Sequence, residues 1–202
     1  PPSLPFHFSK LPEPASGEVY VMNQHRVGSC GFDVFAPAEA LPSLAELLVS
    51  ATREVAGAAC GWTAFDLCRL EAGIPRFGVD IDEANFPQEC GIEAKAVSYN
   101  KGCYIGQEVL NRIHTIGHVN RRLCGLRLAD DLKTLPAKGD KLFQGGKEVG
   151  WSTSAAFSPV FRTNIALAHI RNEAGANETE LLLRTKDGDS SARVVELPFK
   201  DL

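Results

Sequence analysis

An octapeptide at residues 101–108 combines a lysine, a cysteine and two glycines in a pattern that could support thiol or anion chemistry. Its sequence is Lys-Gly-Cys-Tyr-Ile-Gly-Gln-Glu. Glycine allows the backbone to approach a ligand closely, and Lys101 adds positive potential to the free amides at the start of a following helix. Such a loop suits an anionic or electron-rich ligand.

Cys103 is the candidate reactive group of this octapeptide. A nucleophilic or metal-binding cysteine needs thiolate character, which Lys101 and a helix N-terminus both promote. If the segment is extended, the side chains of Lys101 and Cys103 share a face. The alternative is a buried, inert thiol, because free cysteines are among the most buried residues. The neighbouring lysine and glycines favour the reactive thiol.

Glu71 is a second candidate because it falls on the apolar side of a predicted helix. At about 100° per residue it points away from Arg69 and lies between Ala64 and Leu67. A carboxylate in such a position is costly unless it has a partner. The partner could be an arginine such as Arg76, or the adjacent N–H groups of a 2-aminopyrimidinone ring. The residues alone leave both interpretations open.

Two further groups of residues are weaker candidates. His114 and His118 are four residues apart, but Gly117 predicts the end of a helix between them, so no metal site is predicted there. A basic stretch contains Arg112, Arg121, Arg122 and Arg127. It has few aromatic neighbours and is more typical of a solvated surface than of direct RNA contact.

Length and composition limit the class of protein. The 202 residues, 44% of them hydrophobic, are enough for one large core or for a domain with a smaller module. No run reaches the roughly 18 to 20 apolar residues of a membrane-spanning helix, so no membrane association is predicted. The expected location is the cytoplasm, or the mitochondrial matrix in a eukaryote. The six cysteines form no Cys-x-x-Cys pair and are predicted to be reduced thiols.

The first half of the chain predicts a mixture of strands and helices. The expected elements are strands at 18–22 and 31–35, which form a hairpin, and helices at 43–57, 61–72 and 107–116. Ser43 and Glu46 have the spacing of a capping box. Residues 74–100 show no sustained periodicity and predict a long, structured loop at a ligand site.

The second half predicts a small antiparallel β-barrel. Its strand-like runs are 123–128, 141–143, 148–153, 164–170, 180–184 and 192–197. The predicted fold class is therefore α+β, with a proline-rich lead-in at 1–16, a mixed domain at 17–117 and the barrel at 118–202. The absence of an initial methionine suggests a domain of a longer protein or a processed form.

The octapeptide resembles the signature of the YgfZ-type proteins. These are a branch of the folate-binding family that includes the glycine cleavage T-protein and a mitochondrial iron–sulfur assembly factor. Matching segments occur in the same order at 69–76, 77–80, 87–89, 150–154 and 165–168. The resemblance covers roughly residues 17–199, and the octapeptide is its most specific part.

The resemblance implies a T-protein-like folate-binding body over 17–117 and the barrel after it. Tetrahydrofolate would be the cofactor, with Glu71 holding the pterin and Tyr104 and Arg76 also at the folate site. Cys103, assisted by Lys101, would perform thiol chemistry in iron–sulfur cluster assembly or repair, and so support tRNA modification. The implied partners are folate and iron–sulfur enzymes or assembly proteins.

Two alternatives stay open at this point. The first is a folate-dependent aminomethyltransferase of the glycine cleavage system. T-proteins lack the Lys-Gly-Cys sequence, however, and carry their catalytic aspartate in an N-terminal region with no counterpart here. The second is a non-catalytic interaction module that has lost folate binding. The sequence therefore does not decide whether the protein is an enzyme.

Overall fold

A computed structural model describes residues 1–11, 17–28 and 30–200 of the chain. The chain divides into two compact units, residues 1–69 and 70–202. The first unit contains a three-stranded sheet and the second contains a closed barrel. This mixture of helices, sheet and closed barrel confirms the α+β fold class and the barrel that the strand pattern predicts.

The sheet of the first unit is antiparallel, in the order β1-β2-β3. Its strands are β1 (Phe8–Leu11), β2 (Val19–Asn23) and β3 (Phe32–Phe35). Pairing of β2 with β3 confirms the predicted hairpin. In the central strand, buried Val19 and Val21 alternate with the more exposed Tyr20 and Met22, as a sheet with one covered face requires.

β1 lies inside the predicted proline-rich lead-in, where no strand was expected. Among the described strands it pairs with β2 alone, at the edge of the sheet. Proline cannot donate a ladder hydrogen bond, so prolines beside a strand are tolerated at an edge. Residues 12–16 of the lead-in lie outside the described residues.

The helix α1 (Leu41–Glu54) begins earlier than predicted, and the expected capping box is wrong. A 3₁₀ turn at Ala38–Ala40 leads directly into it, and Pro42 lies in its first turn. Proline supplies a helical φ there without losing an intrahelical bond. Ser43 is already inside the helix, and its hydroxyl donates to the Ala40 carbonyl at 3.1 Å instead of capping an amide.

Two more helices confirm the sequence pattern, and a third was not predicted. The three are α2 (Trp62–Glu71), α3 (Glu93–Ala96) and α4 (Gln107–Thr115). α2 and α4 correspond to the predicted helices, whereas α3 is a short turn of helix inside the loop at 74–100. Gly73 has a φ of 67° and donates its N–H to the Leu70 carbonyl at 2.8 Å. This left-handed residue ends α2 immediately after Glu71.

The barrel contains six antiparallel strands and closes in the order β4-β7-β6-β5-β8-β9. The strands are β4 (Arg121–Leu128), β5 (Lys141–Gln144), β6 (Lys147–Ser158), β7 (Thr163–Arg171), β8 (Glu180–Thr185) and β9 (Gly188–Val195). Apolar side chains such as Leu126, Leu142 and Leu183 are fully buried in its core. All six predicted strands are present.

The pairing of β6 with β7 contains one irregularity. Ser152 is opposite Ala168, whereas Ser154 is opposite Leu167. Thr153 is therefore an extra residue in β6, which defines a β-bulge. No helix in the described part of the chain has the length and hydrophobicity needed to span a membrane.

Candidate functional site

Glu71 is the last residue of α2 and is half-buried. Its Oε1 accepts a hydrogen bond of 2.5 Å from the hydroxyl of Ser158, the last residue of β6. Gly73 turns the chain just beyond, and the carboxylate lies against the end of β6. Sequence reasoning found Glu71 but missed Ser158, because a serine at a strand end carries no local signal for a partner 87 residues away.

Asp80 makes a second connection between the loop after α2 and the barrel. The residue is 3% exposed. Its Oδ1 accepts hydrogen bonds from the hydroxyls of Thr153 at 2.5 Å and Ser154 at 2.6 Å, and its Oδ2 accepts the backbone N–H of Arg76 at 2.9 Å. The loop that follows Glu71 is therefore held on β6 as well. Sequence reasoning did not select Asp80 as a site residue.

Arg76, a predicted folate residue, is exposed at the start of this loop. Its backbone is fixed by Asp80. Among the candidates, Arg76 and Glu71 are thus carried by neighbouring segments that are both anchored on β6. This support is built by long-range contacts rather than by the helix itself.

Lys101, Cys103 and Tyr104 lie in the irregular segment before α4. Cys103 is exposed and unbridged, so the inert, buried alternative does not describe this thiol. The Lys101 ammonium nitrogen lies 4.9 Å from the centroid of the Tyr104 ring, within the range of a cation–π contact. The hydroxyl oxygen of half-buried Tyr104 is inaccessible to solvent and has no hydrogen-bond partner among the described residues.

A polar cluster of Glu93, Tyr99 and His114 connects α3 to α4, which lie on either side of this segment in the sequence. Glu93 accepts a hydrogen bond from the Tyr99 hydroxyl, and its Oε1 lies 3.1 Å from Nδ1 of His114. The Tyr99 and His114 rings stack with centroids 4.1 Å apart. The Tyr99 hydrogen bond, followed by His114, lowers the pKa of the Glu93 carboxyl. His114 is therefore used in packing the loop, and no cluster of three or more metal-ligating side chains occurs in the described residues.

The arginines of the predicted basic stretch are partly engaged by the barrel. Arg121 lies 3.2 Å from Glu89 and stacks over Trp151, with 5.1 Å from its guanidinium carbon to the ring centroid. Arg122 donates to the carbonyl oxygen of Gly175. These contacts join the start of β4 to the preceding loop and to the segment between β7 and β8.

The candidate residues form two groups that the structure does not join directly. Within residues 1–11, 17–28 and 30–200, no hydrogen bond, ion pair or ring contact links Glu71 to Lys101, Cys103 or Tyr104. One group offers a half-buried carboxylate, which can accept N–H donors, and the other offers an exposed thiol two residues after Lys101. The first suits binding of a planar hydrogen-bond donor, and the second suits thiol chemistry.

Two family models match the chain. The model described as "GCVT N-terminal domain" matches residues 3–101, and the "Glycine cleavage T-protein C-terminal barrel domain" matches residues 121–201. Together they account for both the mixed region and the barrel. The chain belongs to the glycine cleavage T-protein superfamily. The predicted membership of the T-protein superfamily is thereby confirmed. The assignment to the YgfZ branch stays a proposal.

Named relatives of this T-protein-like chain include two bacterial proteins called "Aminomethyltransferase". The protein from Symbiobacterium thermophilum is 36% identical over 175 residues, which cover 85% of this chain and 45% of that protein. The protein from Geobacillus thermodenitrificans is 31% identical over 195 residues, covering 96% of this chain and 53% of that protein. These names correspond to the aminomethyltransferase alternative more closely than to an iron–sulfur role.

The T-protein-like fold also matches a solved structure. The glycine cleavage system aminomethyltransferase T from Bartonella henselae superposes with a TM-score of 0.78 at 25% identity. The match covers 90% of this chain and 50% of that protein. The chain spans about half the length of the curated relatives it matches.

Proposed function

We propose that this chain forms part of a tetrahydrofolate-binding site in which Glu71 holds the pterin ring. The main support is the half-buried Glu71 carboxylate, which accepts a hydrogen bond from Ser158 at the end of β6. The aminomethyltransferase relatives and the T-protein family models supply the class of ligand. Tetrahydrofolate, when bound, supplies a nitrogen that accepts a one-carbon unit.

The residues present fit such a ligand. The 2-aminopyrimidinone edge of a pterin offers adjacent N–H donors, and a carboxylate accepts two such donors well. Ser158 donates to Oε1 of Glu71, which keeps a second lone pair, and Oε2 has no hydrogen-bond partner among the described residues. The solvent-inaccessible Tyr104 hydroxyl is another polar atom without a partner in the described part of the chain. In this proposal the exposed cation Arg76 binds the acidic tail of folate.

The proposed reaction is the transfer of a one-carbon unit from an aminomethyl donor to tetrahydrofolate. This class of reaction follows from the names of the relatives that match nearly the whole chain. In it, Glu71 binds and orients the pterin and takes no part in bond breaking.

A second candidate function is favoured by the exposed thiol of Cys103. In the Lys-Gly-Cys sequence, which the YgfZ resemblance emphasises, this thiol is exposed and lies between Lys101 and Tyr104 in the sequence. In this candidate the protein still binds folate, but Cys103 serves the assembly or repair of iron–sulfur enzymes, including those that modify tRNA. The two functions share Glu71 and differ in whether Cys103 is needed.

Titration with 5-formyltetrahydrofolate tests the folate site. Replacing Glu71→Ala should weaken binding by about tenfold to a hundredfold, because charge-assisted hydrogen bonds are lost. Glu148→Ala is the matched control, since Glu148 is exposed on the barrel and forms an ion pair with Lys141 at 2.8 Å. Equal affinity of the Glu71→Ala variant and the unchanged protein would remove Glu71 from the site.

The two candidate functions are separated by one enzymatic and one cellular measurement. An aminomethyltransferase should form a one-carbon derivative of tetrahydrofolate from an aminomethyl donor and should keep this activity in a Cys103→Ser variant. An iron–sulfur accessory protein should show no such transfer, and Cys103→Ser should fail to restore iron–sulfur enzyme activity in cells that lack the protein. Cys68→Ser, which alters another exposed cysteine, is the control.

A further inference from the structure

The hydroxyl of Ser158 is positioned to donate its single hydrogen to the Glu71 carboxylate. The residue is 0% exposed, and its Oγ accepts the backbone N–H of Phe161 at 3.1 Å. A serine hydroxyl carries a single hydrogen and can accept as well as donate. Because Phe161 already donates to this oxygen, the hydroxyl hydrogen is available for Glu71 Oε1 at 2.5 Å. The carboxylate can only accept, so the direction of the bond is fixed.

We infer that Ser158 is a positioning residue that sets the orientation of the Glu71 carboxylate before a ligand arrives. The inference rests on the proposed folate function. With Oε1 held by Ser158, the plane of the carboxylate is defined and Oε2 remains for an N–H of the pterin. A glutamate side chain that is not held in this way loses freedom of rotation about several bonds when the ligand binds. A side chain already held in its bound rotamer binds more tightly because less freedom is lost.

Both ends of this hydrogen bond are anchored in the same apolar cluster. Leu70, the residue before Glu71, is 2% exposed and packs in a cluster with Ile165, Leu167 and Phe199. Phe161, whose N–H fixes Ser158, packs against that cluster. Neither the donor nor the acceptor can therefore shift without disturbing the core beneath it. The contact is rigid on both sides, as positioning requires.

A purely structural role for Ser158 would give a different result from a positioning role. Ser152 supplies the comparison, because it lies on the same strand, is 1% exposed and donates its hydroxyl to the Ala137 carbonyl at 2.5 Å. Ser152→Ala removes a buried hydroxyl of the same kind without touching Glu71. Both alanine variants should lose stability, but only Ser158→Ala should weaken folate binding.

A double-mutant cycle tests the inference with 5-formyltetrahydrofolate as the probe. Dissociation constants are measured for Ser158→Ala, Glu71→Ala, the double variant, and Ser152→Ala with and without Glu71→Ala. Ser158→Ala should raise the dissociation constant about fivefold in the native background and have little effect when Glu71 is already replaced. Ser152→Ala should leave it unchanged in both.

Two outcomes would overturn the inference while leaving the folate site intact. One is a strong effect of Glu71→Ala with none from Ser158→Ala, and the other is an equal effect of Ser158→Ala in both backgrounds. No effect of Glu71→Ala would instead overturn the proposed function, and the inference with it. If Ser158→Ala does not fold, Ser158→Thr and Ser158→Val replace it. Threonine and valine have the same shape and differ in the hydroxyl. The Ser158→Thr variant should therefore bind the folate about fivefold more tightly than the Ser158→Val variant. Equal affinities of the two variants would reject the inference.

Discussion

Nε2 of His169 lies 2.8 Å from the carbonyl oxygen of Asp80, so this buried imidazole carries its proton on Nε2. Its Nδ1 has no hydrogen-bond partner among the described residues. A second proton on Nδ1 would place an unsatisfied charge in the barrel wall. Burial lowers the pKa of His169 below its ordinary value of 6.5, and the nearby charge of Arg121 acts in the same direction.

The neutral state of His169 predicts a loss of stability in mild acid. The unfolded chain binds a proton near pH 6.5, whereas the folded protein binds it only at lower pH, so the free energy of unfolding falls as the pH drops below 6.5. The slope from this group is at most about 1.4 kcal/mol per pH unit. Urea unfolding at pH 7.5, 6.5 and 5.5 should show a smaller decline for His169→Gln. His118→Gln, at an exposed site, is the control, and an unaltered decline in His169→Gln would contradict the prediction.

The cysteines should fall into two classes of reactivity. Cys30, Cys60, Cys68 and Cys103 are exposed, whereas Cys90 and Cys124 are buried. Burial raises the pKa of the Cys90 thiol to about 11, so little thiolate forms at pH 8. Ellman's reagent should therefore titrate only the four exposed thiols of the native protein, and all six in denaturant.

Two serine variants make the thiol assignment specific. Cys103→Ser should remove one rapidly reacting group, whereas Cys90→Ser should leave the native count unchanged. Rapid modification of Cys90 in the native protein would show that the loop before the barrel opens more readily than its buried position implies.

Gly150 is predicted to be indispensable to the barrel for steric reasons. A Cβ atom at this position would lie 2.2 Å from the backbone oxygen of His169, which belongs to the neighbouring strand and cannot move aside. Gly150→Ala should reduce the free energy of unfolding by about 2 to 4 kcal/mol. Gly102→Ala is the control, because a Cβ at that position meets nothing within 4 Å. Urea titration of both variants gives the comparison, and equal stabilities would contradict it.

Asp80→Asn should destabilise the loop that follows Glu71. Its carboxylate accepts hydrogen bonds from Thr153, from Ser154 and from the backbone amide of Arg76. The side-chain amide of asparagine has one oxygen that accepts and one NH₂ group that donates. At least one of the three donors would therefore face the NH₂ group instead of an acceptor. The expected loss is about 1 to 3 kcal/mol in urea unfolding. Asp187→Asn, in an exposed turn, should have no measurable effect, and the same result for Asp80→Asn would contradict the prediction.

The barrel is predictable from the sequence because each of its strands carries its own pattern. Alternation of buried and exposed residues, as in β8 from Glu180 to Thr185, is a local property of an antiparallel sheet. The end of α2 is likewise marked locally, by Gly73. β1 escaped prediction because nearby prolines are equally compatible with an irregular segment. The capping box failed because the preceding 3₁₀ turn and Pro42 already begin the helix.

The candidate site is less predictable than the fold. Glu71 and Cys103 stand out through their neighbours in the sequence. The contacts that hold the site do not stand out in the sequence. Ser158 is 87 residues from Glu71, and Thr153 is 73 residues from Asp80. No local periodicity encodes a hydroxyl reaching a carboxylate over such distances along the chain. These contacts become visible only when the barrel register is known.

Because of the bulge at Thr153, the number of residues in β6 decides whether the strand can hold the Asp80 loop. In a regular strand, consecutive side chains point to opposite faces, so Thr153 and Ser154 could not both reach one carboxylate. The extra residue changes this, and both hydroxyls meet Oδ1 of Asp80. Deleting Thr153 would restore an even ladder yet release the anchored loop. Insertions and deletions in β6 should therefore be tolerated less well during divergence of this chain than substitutions on its outer face.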